Sequence, residues 1–230
     1  MKTIIVRLAD RDGRDLRAWA AVCVGLVCAL TMSISLAAAG GPGAARDRQI
    51  LLMHADGTYE NGYMFYSPPP DWGSFAEMYE GTVQVRSIVL DLSGYTFDPN
   101  WIDAYLWTDG GGRPGLVLAV VTGVHCNNVP DPPDFGRNSI ELPEPFGVTG
   151  TWWVGFWQGG WVEYWIGADL DGPGGDSPMV KIPTGAGFPT GWQSVDLVWG
   201  PTAALGIGAE VDLPTPVESA TWGSIKGLYR

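Results

Sequence analysis

The chain has 230 residues, 46% hydrophobic and 17% charged, a composition that excludes a disordered polypeptide and can fill a real core. A net charge of −12 argues against nucleic acid or an anionic membrane surface as partner, because either would repel it. Its 33 Gly and 18 Pro beside 12 Trp, 8 Tyr and 7 Phe mean many turns and large rings, which points to an all-β domain.

Residues 1–39 read as a secretory signal peptide. Arg7, Arg11, Arg14 and Arg17 precede the apolar run "AWAAVCVGLVCALTMSISL", and Ala37 and Ala39 offer the small side chains a signal peptidase needs. The run approaches membrane-spanning length, so an uncleaved anchor is the alternative and the only expected membrane contact. The "GGPGAA" that follows favours cleavage, with residues 40–47 as a flexible segment. Cys28 follows Val27, which is no lipobox. Cleavage would remove five basic and three acidic residues and leave 8 and 22, a net charge of −14. It would also leave Cys126 as the one cysteine, so the exported domain must stand on its core without an internal disulfide. The expected location is secreted or cell surface.

Short apolar or alternating runs then recur between Gly, Pro, Asn and Asp. They are "QILLM" (49–53), "TVQVRSIVLDL" (82–92), "WIDAYLW" (101–107), "GLVLAVVTGV" (115–124) and "NSIEL" (138–142). "TWWVGFW" (151–157), "WVEYWIGADL" (161–170), "MVKI" (179–182), "WQSVDLVW" (192–199) and "ALGIGAEVDL" (204–213) complete the series. Only "FAEMYEG" (75–81) offers a short helical pattern. About ten short strands at this spacing predict a two-sheet antiparallel sandwich over residues 48–213, with a jelly roll as the natural size match. Residues 214–230 form a proline-containing linker and a terminal appendage.

"ADGTYENGY" (55–63), "LWTDGGGRPG" (106–115), "PTGWQSV" (189–195) and "VWGP" (198–201) together resemble a group of largely uncharacterised exported bacterial β-sandwich domains. The resemblance implies export and a sandwich fold, and no particular activity. The ending "ESATWGSIKGLYR" is similar to short C-terminal tails of exported bacterial proteins, which implies a sorting or anchoring role.

Five tryptophans stand between Trp152 and Trp165. If "QGG" (158–160) closes a three-residue hairpin loop, Trp153, Trp157, Trp161, Glu163 and Trp165 share one face with Gly155. The opposite face then holds Trp152, Val154, Phe156, Val162, Tyr164 and Ile166. A two-residue loop would slip the register and put Glu163 beside Phe156. The three-residue loop keeps the carboxylate off the wholly apolar face and is preferred. A four-Trp face suits stacking on the apolar faces of sugars, with Glu163 accepting from hydroxyls; core packing is the common alternative.

Asp169, Asp171 and Asp176 lie on the glycine-bent "ADLDGPGGDSP" and form a candidate structural calcium site, although Pro173 and Val180 rule out an EF-hand. The competing reading is a polar turn. Catalytic signatures are missing: there is no G-x-S-x-G, H-E-x-x-H or phosphate loop. Glu210 and Asp212 begin a glucanase-like E-x-D pattern, but the next Glu is Glu218, too distant for one strand face. His54, His125 and Cys126 read as ordinary strand or loop residues, with Cys126 a free thiol. The expectation is a secreted noncatalytic sandwich that binds a polysaccharide or cell-surface glycan. A self-associating surface protein and a cryptic glycan hydrolase are the alternatives.

Overall fold

A computed structural model describes residues 49–64, 73–94, 101–159, 164–174, 178–184 and 186–213. In chain order these form β1 (Gln49–Met53), β2 (Asn61–Tyr63), β3 (Ser74–Glu80), β4 (Val83–Gly94), β5 (Trp101–Asp109), β6 (Pro114–Val124) and β7 (Gly136–Val148). They continue with β8 (Thr151–Gly159), β9 (Tyr164–Asp169), β10 (Met179–Ile182), β11 (Gly191–Ser194), α1 (Val195–Trp199), β12 (Ala204–Leu205) and β13 (Ile207–Asp212). No helix among the described residues is long and apolar enough to cross a membrane.

The strands make two antiparallel sheets, as the alternating pattern predicts. The first has seven strands: β1-β13-β4-β9-β12 in order, with β2 also on β9 and β7 also on β4. The second has six, in the order β11-β10-β3-β8-β5-β6. Val85, Ile88, Leu90 and Leu92 of β4 face Trp152, Val154 and Phe156 of β8 across one continuous core, all nearly devoid of solvent contact. Burying such side chains is worth about 1.5–3 kcal/mol each, and among the described residues this layer stands without a disulfide.

Three expectations are corrected. "FAEMYEG" is not helical: it forms β3, between β10 and β8. Phe75, Glu77 and Tyr79 alternate inward while Ala76 and Met78 point out, so sheet pairing on both sides overrides a marginal local preference. "WQSVDLVW" breaks in the middle. Ser194 caps a short helix by accepting the Asp196 N–H at 3.3 Å, and Gly200, at φ +93°, ends it.

The third correction is the tryptophan hairpin. Strand β8 pairs with β3 and β5 in the second sheet, while β9 pairs with β4, β2 and β12 in the first. They therefore cannot be hairpin partners, and no turn register puts Trp153 opposite Trp165.

A concave aromatic face on the second sheet

Alternation along β8 sends Trp152, Val154 and Phe156 into the core and Trp153 and Trp157 to the outer face, as the sequence predicts. Trp165 lies on β9 and faces away on the other sheet. Trp161 and Glu163 lie outside the described residues. The expected four-Trp platform is therefore not assembled from the "TWWVGFWQGGWVEYW" run.

A different aromatic face is assembled instead. Cross-strand register places Trp153 opposite Trp107 of β5 and Met78 of β3, and Gly155 opposite Tyr105 and Ala76. Trp107 and Trp153 are almost wholly buried, at 3% and 1% exposure, and form a floor with Ala76. Tyr105, Trp157 and Trp192 stand around that floor half-buried. Tyr105 stacks on Trp107 with centroids 5.0 Å apart and tilts against Trp157 at 5.3 Å. Lys181 reaches across Ser74 to place its Nζ 4.2 Å from the centre of the Trp157 ring, a cation–π contact.

The face is concave. Trp192 of β11 meets Trp107 of β5 edge to face at 5.6 Å, although three strands separate theirs. Four strand spacings of a flat sheet span about 19 Å, more than two side chains can close in this way, so the sheet bends toward its outer face. Small residues permit the bend. A Cβ on Gly155 would lie 2.0 Å from the Phe75 carbonyl oxygen, and its neighbour Ala76 is fully buried beneath the rings.

The β5–β6 turn locks the floor. Gly111 and Gly112 adopt positive φ, and both donate their N–H to Asp109. The same carboxylate accepts the Trp153 Nε1–H at 3.0 Å. That indole N–H, followed by the turn amides, holds the exposed Asp109 carboxyl below its ordinary value. "WTDGGGRPG" is thus a clamp on Trp153, and "PTGW" delivers Trp192 to the same place. The alternation in "WIDAYLW" already put Tyr105 and Trp107 on one face. What sequence reading missed was that β5 and β11, not β9, complete the face around β8.

The first sheet's outer face is polar. Tyr59 lies across Gly167 and Gly206, where a Cβ on either would come within 2.9 Å of it, and donates to Asp91 at 2.5 Å. Arg137 grips the same carboxylate through Nε and Nη2 at 2.9 and 2.8 Å. An open pocket of about 490 Å³ lies beside this trio, bordered by Gly57, Asp134 and Phe135. Asp56 accepts from the Thr58 N–H and hydroxyl, and Glu60 from the Leu170 N–H, which explains "DGTYENG" as a latch onto the loop after β9.

Carboxylate oxygens of Glu60, Asp169 and Asp171 lie within 4.8 Å of one another, so two of the three predicted calcium ligands do converge. Asp176 lies outside the described residues. Asp169 is fully buried and already accepts the N–H groups of Asp56, Asp171 and Gly172, the arrangement of a polar turn. Glu210 accepts from Ser87, Ser139 and Gln49, and Asp212 pairs with Arg86, so both are engaged in the first sheet. His54 bonds the Met78 carbonyl and stacks on Tyr79, while His125 is exposed. Cys126 is free, and burial pushes its thiol up to about 12.

Comparison with protein-family models, curated proteins and solved structures returns no match to this chain.

Proposed function

We propose that the protein is a glycan-binding sandwich whose ligand lies on the concave outer face of the second sheet. The observation that carries this reading is the arrangement of Tyr105, Trp157 and Trp192 around the buried Trp107–Trp153 floor, on the side of the sheet turned away from the core. Rings already fixed by packing lose little freedom on binding. Flat apolar rings match the C–H faces of pyranoses. Asp103, Asp109 and Lys181 at the margin provide acceptors and a donor for hydroxyls. The overall negative charge favours neutral over acidic polysaccharides.

Isothermal titration against a panel of soluble neutral and acidic polysaccharides tests the reading. Saturable heat with at least one neutral glycan supports it, and no binding to any member of the panel contradicts it. Export to the outside or the cell surface belongs to the same proposal, supported by the leader-like composition of residues 1–39.

A further inference from the structure

The two long edge strands of the sandwich are built in opposite ways. β7 spans 13 residues and pairs among the described residues only with β4. It carries Arg137, Glu141 and Glu144 as charges and Pro143 and Pro145 as gaps in its row of donors. Charge and proline are the devices by which edges avoid pairing with other chains. β6 spans 11 residues, pairs among the described residues only with β5, and has neither device between Gly115 and Val124. The remaining sheet ends need no such device, since β1 has 5 residues, β11 has 4 and β12 has 2.

The side chains of β6 are also exposed and apolar. Leu116 is 78% exposed, Val117 52% and Val120 38%. Val117 sits opposite Trp107 and Val120 opposite Tyr105, so they extend the outer face to the sheet's margin. Three register shifts against β5 increase the local twist but bring no charge to the free side.

We propose that β6 is a self-association edge, paired antiparallel with β6 of a second copy about a two-fold axis near Ala119. A strand edge is matched along its whole length by another extended segment, because it offers alternating N–H and C=O groups. A second copy meets the charge requirement too. In a chain of net charge −12, β6 itself carries none, so the two strands meet without repulsion. The ends are complementary. Pairing about Ala119 brings Gly115 opposite the partner's Gly123, whose N–H is held by Asp103 at 2.8 Å within each copy. The exposed Arg113 then faces the end of the partner's β6, with Asp103 one strand further on, an attraction made twice by symmetry and screened by salt. The six-stranded sheet becomes continuous across both copies.

Sedimentation velocity on the purified protein across the micromolar range tests this. A monomer–dimer equilibrium is expected, with Val117→Lys/Val120→Lys raising the dissociation constant at least about tenfold. Leu116→Lys, at the most exposed position, is expected to act in the same direction, and Arg113→Glu to weaken the dimer with a reduced salt dependence. Unchanged melting temperatures of the monomeric forms separate lost pairing from lost folding. A wild-type protein that stays monomeric throughout overturns the proposal. So does a dimer that survives all three changes, or one that is broken by Trp157→Ala and not by the β6 substitutions.

Discussion

The Nε1–H of Trp153 donates to Asp109 across 3.0 Å, joining the floor of the aromatic face to the turn between β5 and β6. Trp153 is 1% exposed, so losing this acceptor leaves a buried donor unpaired. Asp109→Ala is expected to lower stability by about 1–3 kcal/mol, measured by urea unfolding. Because the folded state holds this carboxyl below its ordinary value, the stabilisation is present above that value and is lost as pH falls through the folded one. The wild-type advantage over Asp109→Ala should therefore shrink in acid, moderated by solvent screening at this exposed carboxylate.

Glu77 gives the opposite pH dependence. It is fully buried on the core side of β3; Oε1 accepts the Leu205 N–H at 2.5 Å, and Oε2 has no partner among the described residues. Burial, which outweighs these backbone contacts, pushes the carboxyl up to about 8 from 4.5. The folded state thus holds the proton in a window where the unfolded state has lost it. Stability from this group is complete below about 4.5 and declines up to about 8, by at most about 1.4 kcal/mol per pH unit. Glu77→Gln removes the window. Its melting temperature relative to wild type should rise between pH 5 and pH 8.5, and a constant difference would contradict the assignment.

The bend of the second sheet depends on Gly155. Any side chain there meets the Phe75 carbonyl and, at 2.8 Å, the Ala76 Cα, both backbone atoms that cannot step aside. Gly155→Ala is expected to cost stability toward the upper end of about 1–3 kcal/mol and to flatten the face. Near-ultraviolet circular dichroism of the coupled Trp107–Trp192 pair reads the flattening directly.

Asp169 tests the latch between the "DGTYENG" loop and β9. Its two oxygens accept three backbone N–H groups, so an amide at this position sets a donor against a donor. Asp169→Asn is expected to cost about 1–3 kcal/mol in excess EDTA as well as in calcium. A loss seen only in calcium would make it primarily a metal ligand.

These residues also show what could be read in advance. Strand alternation in "TWWVGFW" sorted Trp152 from Trp153 and Trp157 correctly, because side-chain direction in a strand is a local property. Pairing is not local. "QGG" looked like a hairpin turn, yet β8 and β9 belong to opposite sheets, and nothing within the segment encodes that choice. The same gap hid Trp107 and Trp192, whose motifs were visible as turns while their meeting depended on strand order and on a bend permitted by Ala76 and Gly155. Glu77 was hidden for a related reason: a carboxyl in "FAEMYEG" suggests solvent, and only pairing on both sides of β3 buries it.

The central claim is that ligand stacks on Trp157 and Trp192 of the concave face. Its most direct test is tryptophan fluorescence during titration with a glycan bound by the wild type, comparing Trp157→Ala and Trp192→Ala with Trp165→Ala on the other sheet. The expected result is saturable quenching in wild type and Trp165→Ala, with affinity at least about tenfold weaker, about 1.4 kcal/mol, in the other two. Equal affinity in all four proteins, or a loss confined to Trp165→Ala, would contradict it.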